Sequence, residues 1–370
     1  MTHTAIRHAI LYYGGFTSRS GGAFTHTTTL SQGLRARGWT VQTVTLDRLP
    51  LLLRYIPHLV AAVMNKIYPP LGFYYKGRLI SLLYKYFIQR RPGDLLVFED
   101  VYLSWNSEHP SISVLHAVWS DNLQSFRFTA AQVARLKRKE VALINAISHP
   151  VVTVSEPYRD FLQQSHFADV GSLNLEVVEL GLDIENLPKP RARPIPDNGR
   201  SLIYVGALEA RKNVAFMLDV FRHIAAIDPA ATLTIVGRGP DREGLEKYVT
   251  RQGLNVTFLG WLAHDQVLEE LTRHDLYIHT ALKESFSFAL LEAKLAGLTT
   301  CALARLEVPA EFIDLGFAEL DADDWCSKIL AVTKRPDLTN FPEYSIDRMT
   351  DRTLALVSDD AGATAVNTIR

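Results

Sequence analysis

Short apolar runs bounded by glycine or polar residues alternate along this chain with longer stretches whose apolar positions return every third or fourth residue. In the first half the short runs are Ala9 to Tyr13, Thr40 to Leu46, Asp94 to Glu99, Ser111 to His116 and Val151 to Val154, each of strand length, with Ala23 to Arg37 carrying helical spacing. After Gly181 the texture changes, and Pro188, Pro190, Pro194 and Pro196 mark an exposed linker. A second series follows. Its strand-like runs are Ser201 to Val205, Thr232 to Val236, Val256 to Leu259, Leu276 to His279 and Thr299 to Ala302. Helical patterns lie between them at Asn213 to Ile227, Asp241 to Arg251, Asp265 to Arg273 and Ser285 to Ala296. This rhythm predicts an α/β fold of two Rossmann-like, doubly wound parallel-sheet domains, spanning 1–190 and 191–340. Residues 341–370 form a tail with weak helical periodicity interrupted by Gly362, expected to pack back on the first domain or to fray.

Length supports the two-domain reading, since 370 residues exceed one ordinary domain. A hydrophobic fraction of 47%, a charged fraction of 21% and a net charge of -1 exclude a wholly disordered chain and a generally basic nucleic-acid binder. Two cysteines, Cys301 and Cys326, argue against a disulfide framework and a cysteine metal site, and fit a reducing cytoplasm. The start, MTHTAIRHAILYYGG, lacks the long apolar core of a secretory signal, and no run reaches 18 uncharged apolar residues, so a cytoplasmic location is expected.

One segment breaks the rhythm. Arg48 to Arg91 holds eight Lys or Arg and no Asp or Glu, interleaved with Tyr55, Tyr68, Phe73, Tyr74, Tyr75, Tyr84, Tyr86 and Phe87. Basic charge mixed with aromatic bulk suits an interfacial element on anionic lipid, and predicts a peripheral protein at the inner face of the plasma membrane. The other reading is a helical insertion with a basic outer face and its aromatics in the core. No recognition module accompanies the patch, so nucleic acid is not the expected partner.

Candidate chemistry gathers where predicted strands end. Glu284-Ser-Phe-Ser-Phe-Ala-Leu-Leu-Glu292 sets two carboxylates eight residues apart. A helix starting at Glu284 would separate them by about 12 Å along its axis, and its first N–H groups, at Ser285, Phe286 and Ser287, would suit a phosphate. Two such glutamates also occur by chance, as solvated ends of an amphipathic helix. Gly21-Gly22 lies between the first strand and first helix, where glycine permits close approach to phosphate or sugar, or serves as a plain turn. The equivalent turn of the second half, Gly206 to Asn213, puts Arg211 and Lys212 at a helix start, where the dipole disfavours cations unless an anion such as a diphosphate is bound. His116 follows a strand and suits donating a hydrogen bond to a sugar hydroxyl or shuttling a proton, while Gly237-Arg-Gly-Pro240 is a further crevice loop. No HExxH, GxSxG or Walker A pattern offers another chemistry.

Taken together, Glu284 to Glu292, the Gly206 to Lys212 turn, IVGRGP ending at Pro240, and Val256 to Gly260 before Trp261 resemble, in order and spacing, retaining glycosyltransferases of the GT-B fold, family 4. The resemblance covers about residues 200–315, and more thinly GGAFTHTTTLSQGLRARGWTV, VTVSEPYRDFL and VELGLDIE. It implies two domains facing a central cleft, with Glu292 on the ribose of a nucleotide, Lys212 on its diphosphate, and Glu284 and His116 at the transferred sugar. Gly21-Gly22 matches the family's glycine loop. Where the family often has arginine after the turn glycine this chain has Ala207, with Arg211 placed to supply the charge; the usual EGFG is here Glu284-Ser285-Phe286-Ser287. The implied activity is metal-independent transfer of a hexose-type sugar from a UDP- or GDP-sugar to a hydroxyl of a saccharide or lipid-linked acceptor, with no further cofactor, in cell-envelope polysaccharide or glycolipid synthesis. A sugar-nucleotide epimerase of related fold and a catalytically silent scaffold subunit are the alternatives, and base, sugar, acceptor and oligomeric state stay open.

Overall fold

A computed structural model describes residues 7–17, 21–125, 128–188, 194–336 and 341–367; residues 189–193, the middle of the expected linker, lie outside them. The chain divides into two compact units, one of Met1–Ile184 with Pro342–Arg370, the other of Glu185–Phe341.

In the first unit the elements run β1 (His8–Tyr12), α1 (Gly22–Ala36), β2 (Thr40–Val44), α2 (Leu51–Ile67), α3 (Leu71–Phe87), β3 (Leu95–Phe98), β4 (Ser111–Leu115), α4 (Ala130–Asn145), β5 (Val151–Thr153), α5 (Glu156–Phe161) and β6 (Glu176–Val177). The second carries β7 (Ser201–Val205), α6 (Val214–Ile227), β8 (Thr232–Val236), α7 (Arg242–Gln252), β9 (Val256–Gly260), α8 (His264–Leu271), β10 (Leu276–His279), α9 (Phe288–Leu295), β11 (Thr299–Leu303), β12 (Leu315–Phe317) and α10 (Ala322–Leu330). The chain then returns to the first unit as α11 (Ile346–Asn367). Among the described residues each unit has one six-stranded sheet, in the orders β2-β1-β3-β4-β5-β6 and β12-β11-β10-β7-β8-β9. Every pairing is parallel. Helices cover both faces of such sheets, which is why the strands read as unbroken apolar runs instead of alternating ones.

The first core is built on Ile10 and Tyr12 of β1 and Leu96 and Phe98 of β3, closed by Ile80 and Tyr84 of α3. Tyr84 spends its hydroxyl on the Tyr13 carbonyl at 2.8 Å, so a fully buried phenol is satisfied. The tail is ordered by α1: a Cβ on Gly33 would sit 2.0 Å from Thr350 Oγ1, so the two helices cross in near backbone contact. Arg37 locks the crossing by bonding Asp347 and Asp351. Leu182 N donates to Tyr344 O at 2.8 Å and Ile346 N to Leu182 O at 3.1 Å, tying both chain crossings of this unit together.

The basic, aromatic segment forms two long helices that pack together, α2 and α3, and its residues part company. Tyr84 is in the core, and Phe73, Tyr74 and Tyr75 pack beside Leu71, Leu123 and Leu136, with Phe73 stacked on Trp119 at 4.5 Å. Arg54 and Arg78 also turn inward, onto the carbonyls of Leu49 and Ser104. These residues follow the core reading and not the interfacial one. What faces outward is mainly aliphatic: of the fifteen large hydrophobics exposed among the described residues, eleven lie between Leu51 and Phe87. Leu52, Tyr55, Leu59 and Val63 recur at helical spacing on α2, with Leu52 84% exposed and Leu59 66%. Arg48, Lys66, Lys85 and Arg91 of the same segment are exposed as well. Among the described residues no helix is long and apolar enough to cross a membrane.

Candidate functional site

In the second unit the candidate residues collect at the carboxyl ends of β7, β8 and β10, where open α/β sheets bind ligands. Gly206 N donates to Val236 O at 3.0 Å and Gly237 N to Gly260 O at 2.7 Å. Gly237 has φ 139° and a Cβ there would fall 1.8 Å from Gly206 O. The Gly206 and Gly237 loops are therefore one continuous backbone surface, and only glycine allows the approach.

Beyond Gly206 the chain makes a single tight turn over Ala210–Lys212, then passes through left-handed Asn213 (φ 51°) into α6. Thr280 Oγ1 bonds the Lys212 carbonyl at 3.1 Å and Leu282 N the Arg211 carbonyl at 3.1 Å, so the loop leaving β10 is fastened to this turn. That fastening brings Lys212 Nζ onto Glu284 Oε1, while His279, the last residue of β10, reaches the same oxygen through Nε2 at 3.0 Å. Burial opposes the charge on Glu284, but the Lys212 ammonium and the His279 hydrogen bond outweigh it and hold the carboxyl well below its ordinary range. Burial likewise lowers His279, against the pull of Glu284. Arg211 turns away to Glu209, at 2.5 Å.

The helix expected from Glu284 begins later. Ser287 is left-handed, with φ 70°, and its hydroxyl accepts from Leu290 N, so α9 starts at Phe288 and Glu284 stands in the preceding loop. The 12 Å axial spacing therefore does not apply. Phe286 is buried against Phe288 and Phe312, at ring distances of 5.4 and 5.2 Å, and anchors the loop; what Ser285, Phe286 and Ser287 can offer a ligand in common is backbone N–H. Glu292, on α9, is buried and meets His264 Nε2 at 2.9 Å, a bond that raises the His264 pKa.

The first unit has a second cluster. Gly21 precedes α1 in extended conformation and Gly22 is the helix's first residue. One turn on, His26 Nδ1 lies 2.7 Å from Glu99 Oε2, just past β3, and His116 Nε2, just past β4, lies 3.0 Å from the same oxygen. Both imidazoles overcome the burial penalty and hold Glu99 down at about 2. The three ligand atoms lie within 4.8 Å of one another, a spacing open to a divalent cation or to hydrogen bonds. Sequence reasoning found His116 and missed His26, Glu99, His264 and His279.

The same unit holds a further buried acid. Glu140 of α4 accepts from Tyr102 Oη and from Ser120 N at 3.0 Å, and burial pushes it up to about 7. A carboxyl raised in the fold contributes stability that is complete below its ordinary pKa near 4.5 and is lost as pH rises through about 7. Glu140→Gln removes this dependence. Relative to the wild type it should gain on the order of 2 kcal/mol between pH 4.5 and 7.5. Urea unfolding at several pH values checks this, and a pH-independent difference would refute it.

Residues 187–336 match the model of the family described as Glycosyl transferases group 1. Over 150 residues, 40% of this chain and 32% of the other, the sequence is 28% identical to the phosphatidylinositol N-acetylglucosaminyltransferase gpi3 subunit of Schizosaccharomyces pombe. The chain thus spans about a third of the length of that curated relative. Sucrose-phosphate synthase from Thermosynechococcus elongatus superposes with a TM-score of 0.61 at 16% identity, covering 98% of this chain and 99% of that one. Anabaena HepE in complex with UDP and glucose does so with a TM-score of 0.58 at 16% identity, covering 98% and 99%. Two parallel six-stranded sheets of this kind make the chain a protein of the GT-B fold. Its second unit carries a glycosyl transferases group 1 domain.

Proposed function

We propose that the protein is a retaining glycosyltransferase that moves a hexose-type sugar from a UDP- or GDP-sugar to a hydroxyl of a saccharide or lipid-linked acceptor, in glycolipid or cell-envelope polysaccharide synthesis. The observation that carries the reading is the Lys212–Glu284–His279 cluster beside the N-terminus of α9. Loss of a nucleoside diphosphate from the sugar concentrates negative charge on the leaving oxygens. Lys212 and the N–H groups of Ser285 to Ser287 are fixed donors that meet such charge without reorganising, with Arg211 available once released from Glu209. These cations do the electrostatic work that a metal would otherwise supply.

In the second unit Glu292 takes the ribose hydroxyls, releasing His264, and Glu284 takes a hydroxyl of the donor sugar; in the first unit His116 is offered to a sugar hydroxyl, and Gly21 with Gly22 leaves backbone open to phosphate or sugar. The family match of the second unit supports the donor assignment, and the phosphatidylinositol named for the yeast relative is consistent with a lipid acceptor. The exposed apolar positions of α2, with the exposed Arg48, Lys66, Lys85 and Arg91 of the same segment, support a peripheral position on an anionic, cytoplasm-facing membrane.

Calorimetry with UDP, GDP and their sugars tests the donor site. Glu292→Ala should weaken nucleotide binding at least tenfold, through two lost charge-assisted hydrogen bonds. Unchanged affinity, or no binding of any nucleotide by the wild type, defeats the proposal. Product formation from donor alone, without acceptor, would indicate an epimerase.

A further inference from the structure

Glu99 carries two imidazoles on one oxygen, and its other oxygen, Oε1, is buried without a hydrogen-bond partner. The side chain has no exposed surface. A carboxylate has no proton to give, so each imidazole must donate: His26 through Nδ1–H, His116 through Nε2–H. A carboxylic acid could satisfy one imidazole as donor through Oε2 but would then leave that oxygen a poorer acceptor for the second. Two donors on one oxygen are therefore the arrangement of an anion. The rings meet edge to face at 5.1 Å, so His26 also blocks rotation of His116 from one side.

A neutral imidazole has one N–H. With Nε2–H committed to Glu99, His116 keeps a lone pair on Nδ1. We infer that Glu99, braced by His26, is a positioning residue that fixes His116 as a hydrogen-bond acceptor, so that the substrate group meeting His116 is a hydroxyl that donates. This rests on the glycosyltransferase reading for the identity of that substrate, though not for the tautomer. It turns the usual expectation for a histidine at a sugar, that it donates, the other way round. A sugar whose facing hydroxyl is replaced by fluorine, which accepts but cannot donate, should be as poor a substrate as the deoxy sugar.

The tautomer is measured directly on the full chain labelled with 15N-histidine, by two-bond 15N–1H correlation at pH 7.5, with His116 assigned from His116→Asn. The expected spectrum has Nε2 protonated and Nδ1 bare. A protonated Nδ1 overturns the inference. So does an unprotonated Nε2 that gains its proton on adding EDTA, which would identify a bound divalent cation. The spectrum needs neither turnover nor a nucleotide, so it can succeed where the transferase reading fails. Kinetics then separate positioning from mere structure: Glu99→Gln should lower kcat on the order of a hundredfold with donor KM within about threefold, and Glu99→Asp should recover the Nε2–H signal and part of kcat. Equal kcat in Glu99→Gln with the wild-type tautomer lost would refute the link to turnover.

Discussion

Lys212→Ala is expected to lower kcat/KM for transfer about a thousandfold, the scale on which a fixed donor stabilises developing negative charge. The same substitution leaves Glu284 with His279 as its hydrogen-bonding partner in a site where both side chains of the pair are 12% exposed. Stripping the cation from so buried a carboxylate should cost about 2 kcal/mol of stability, below the figure for a fully dry pair because solvent reaches the edge. Adding Glu284→Ala to that variant should restore stability while leaving activity lost, since the double substitution removes the orphaned charge. Denaturant melts and steady-state rates on the four members of the cycle test both halves. Activity within tenfold of wild type in Lys212→Ala, or additive destabilisation in the double variant, would remove the cluster from the mechanism.

The second large effect is expected at α2. Leu52, Leu59 and Val63 are exposed and stand outside the buried core, so replacing all three with serine should change the melting temperature little. Each lost apolar contact with lipid is worth about 1 kcal/mol, and three together reduce partitioning onto vesicles by more than a hundredfold. Wild-type binding should require anionic lipid and weaken with salt, because Arg48, Lys66, Lys85 and Arg91 add about 1 kcal/mol each near a negative surface. Cosedimentation with phosphatidylglycerol-containing and pure phosphatidylcholine vesicles measures both terms. Binding of the triple variant equal to that of wild type would eliminate the helix as a membrane contact.

The strands were legible because parallel sheets bury both faces, leaving apolar runs such as Leu202 to Tyr204 with no polar interruption. The glycines at 206 and 237 were legible as crevice loops, but nothing local signals that one would overlap the other's carbonyl. The start of α9 misled because Phe286, Ala289 and Leu290 keep helical spacing across a left-handed Ser287, a conformation that serine does not advertise. The aromatics of the 48–91 segment were half misread, since charge pattern does not say which face of a helix meets a core. His26, Glu99 and His279 escaped for a simpler reason: an isolated polar residue has no period. One signal was available. Glu99, His116 and His279 each stand at the carboxyl end of a strand-like run, the position at which such sheets present side chains to a ligand.

The crossing of α11 over Gly33 has a consequence for how the protein is made. Residues 1–184 leave the ribosome without the helix that completes them, and 157 more residues, Glu185–Phe341, must be translated before it arrives. The rule that an N-terminal domain folds first, as a finished unit, cannot hold here. Until residues 342–370 are translated, the face of α1 around Gly33 and Arg37 stays uncovered, open to chaperones and to the α11 of a neighbouring chain.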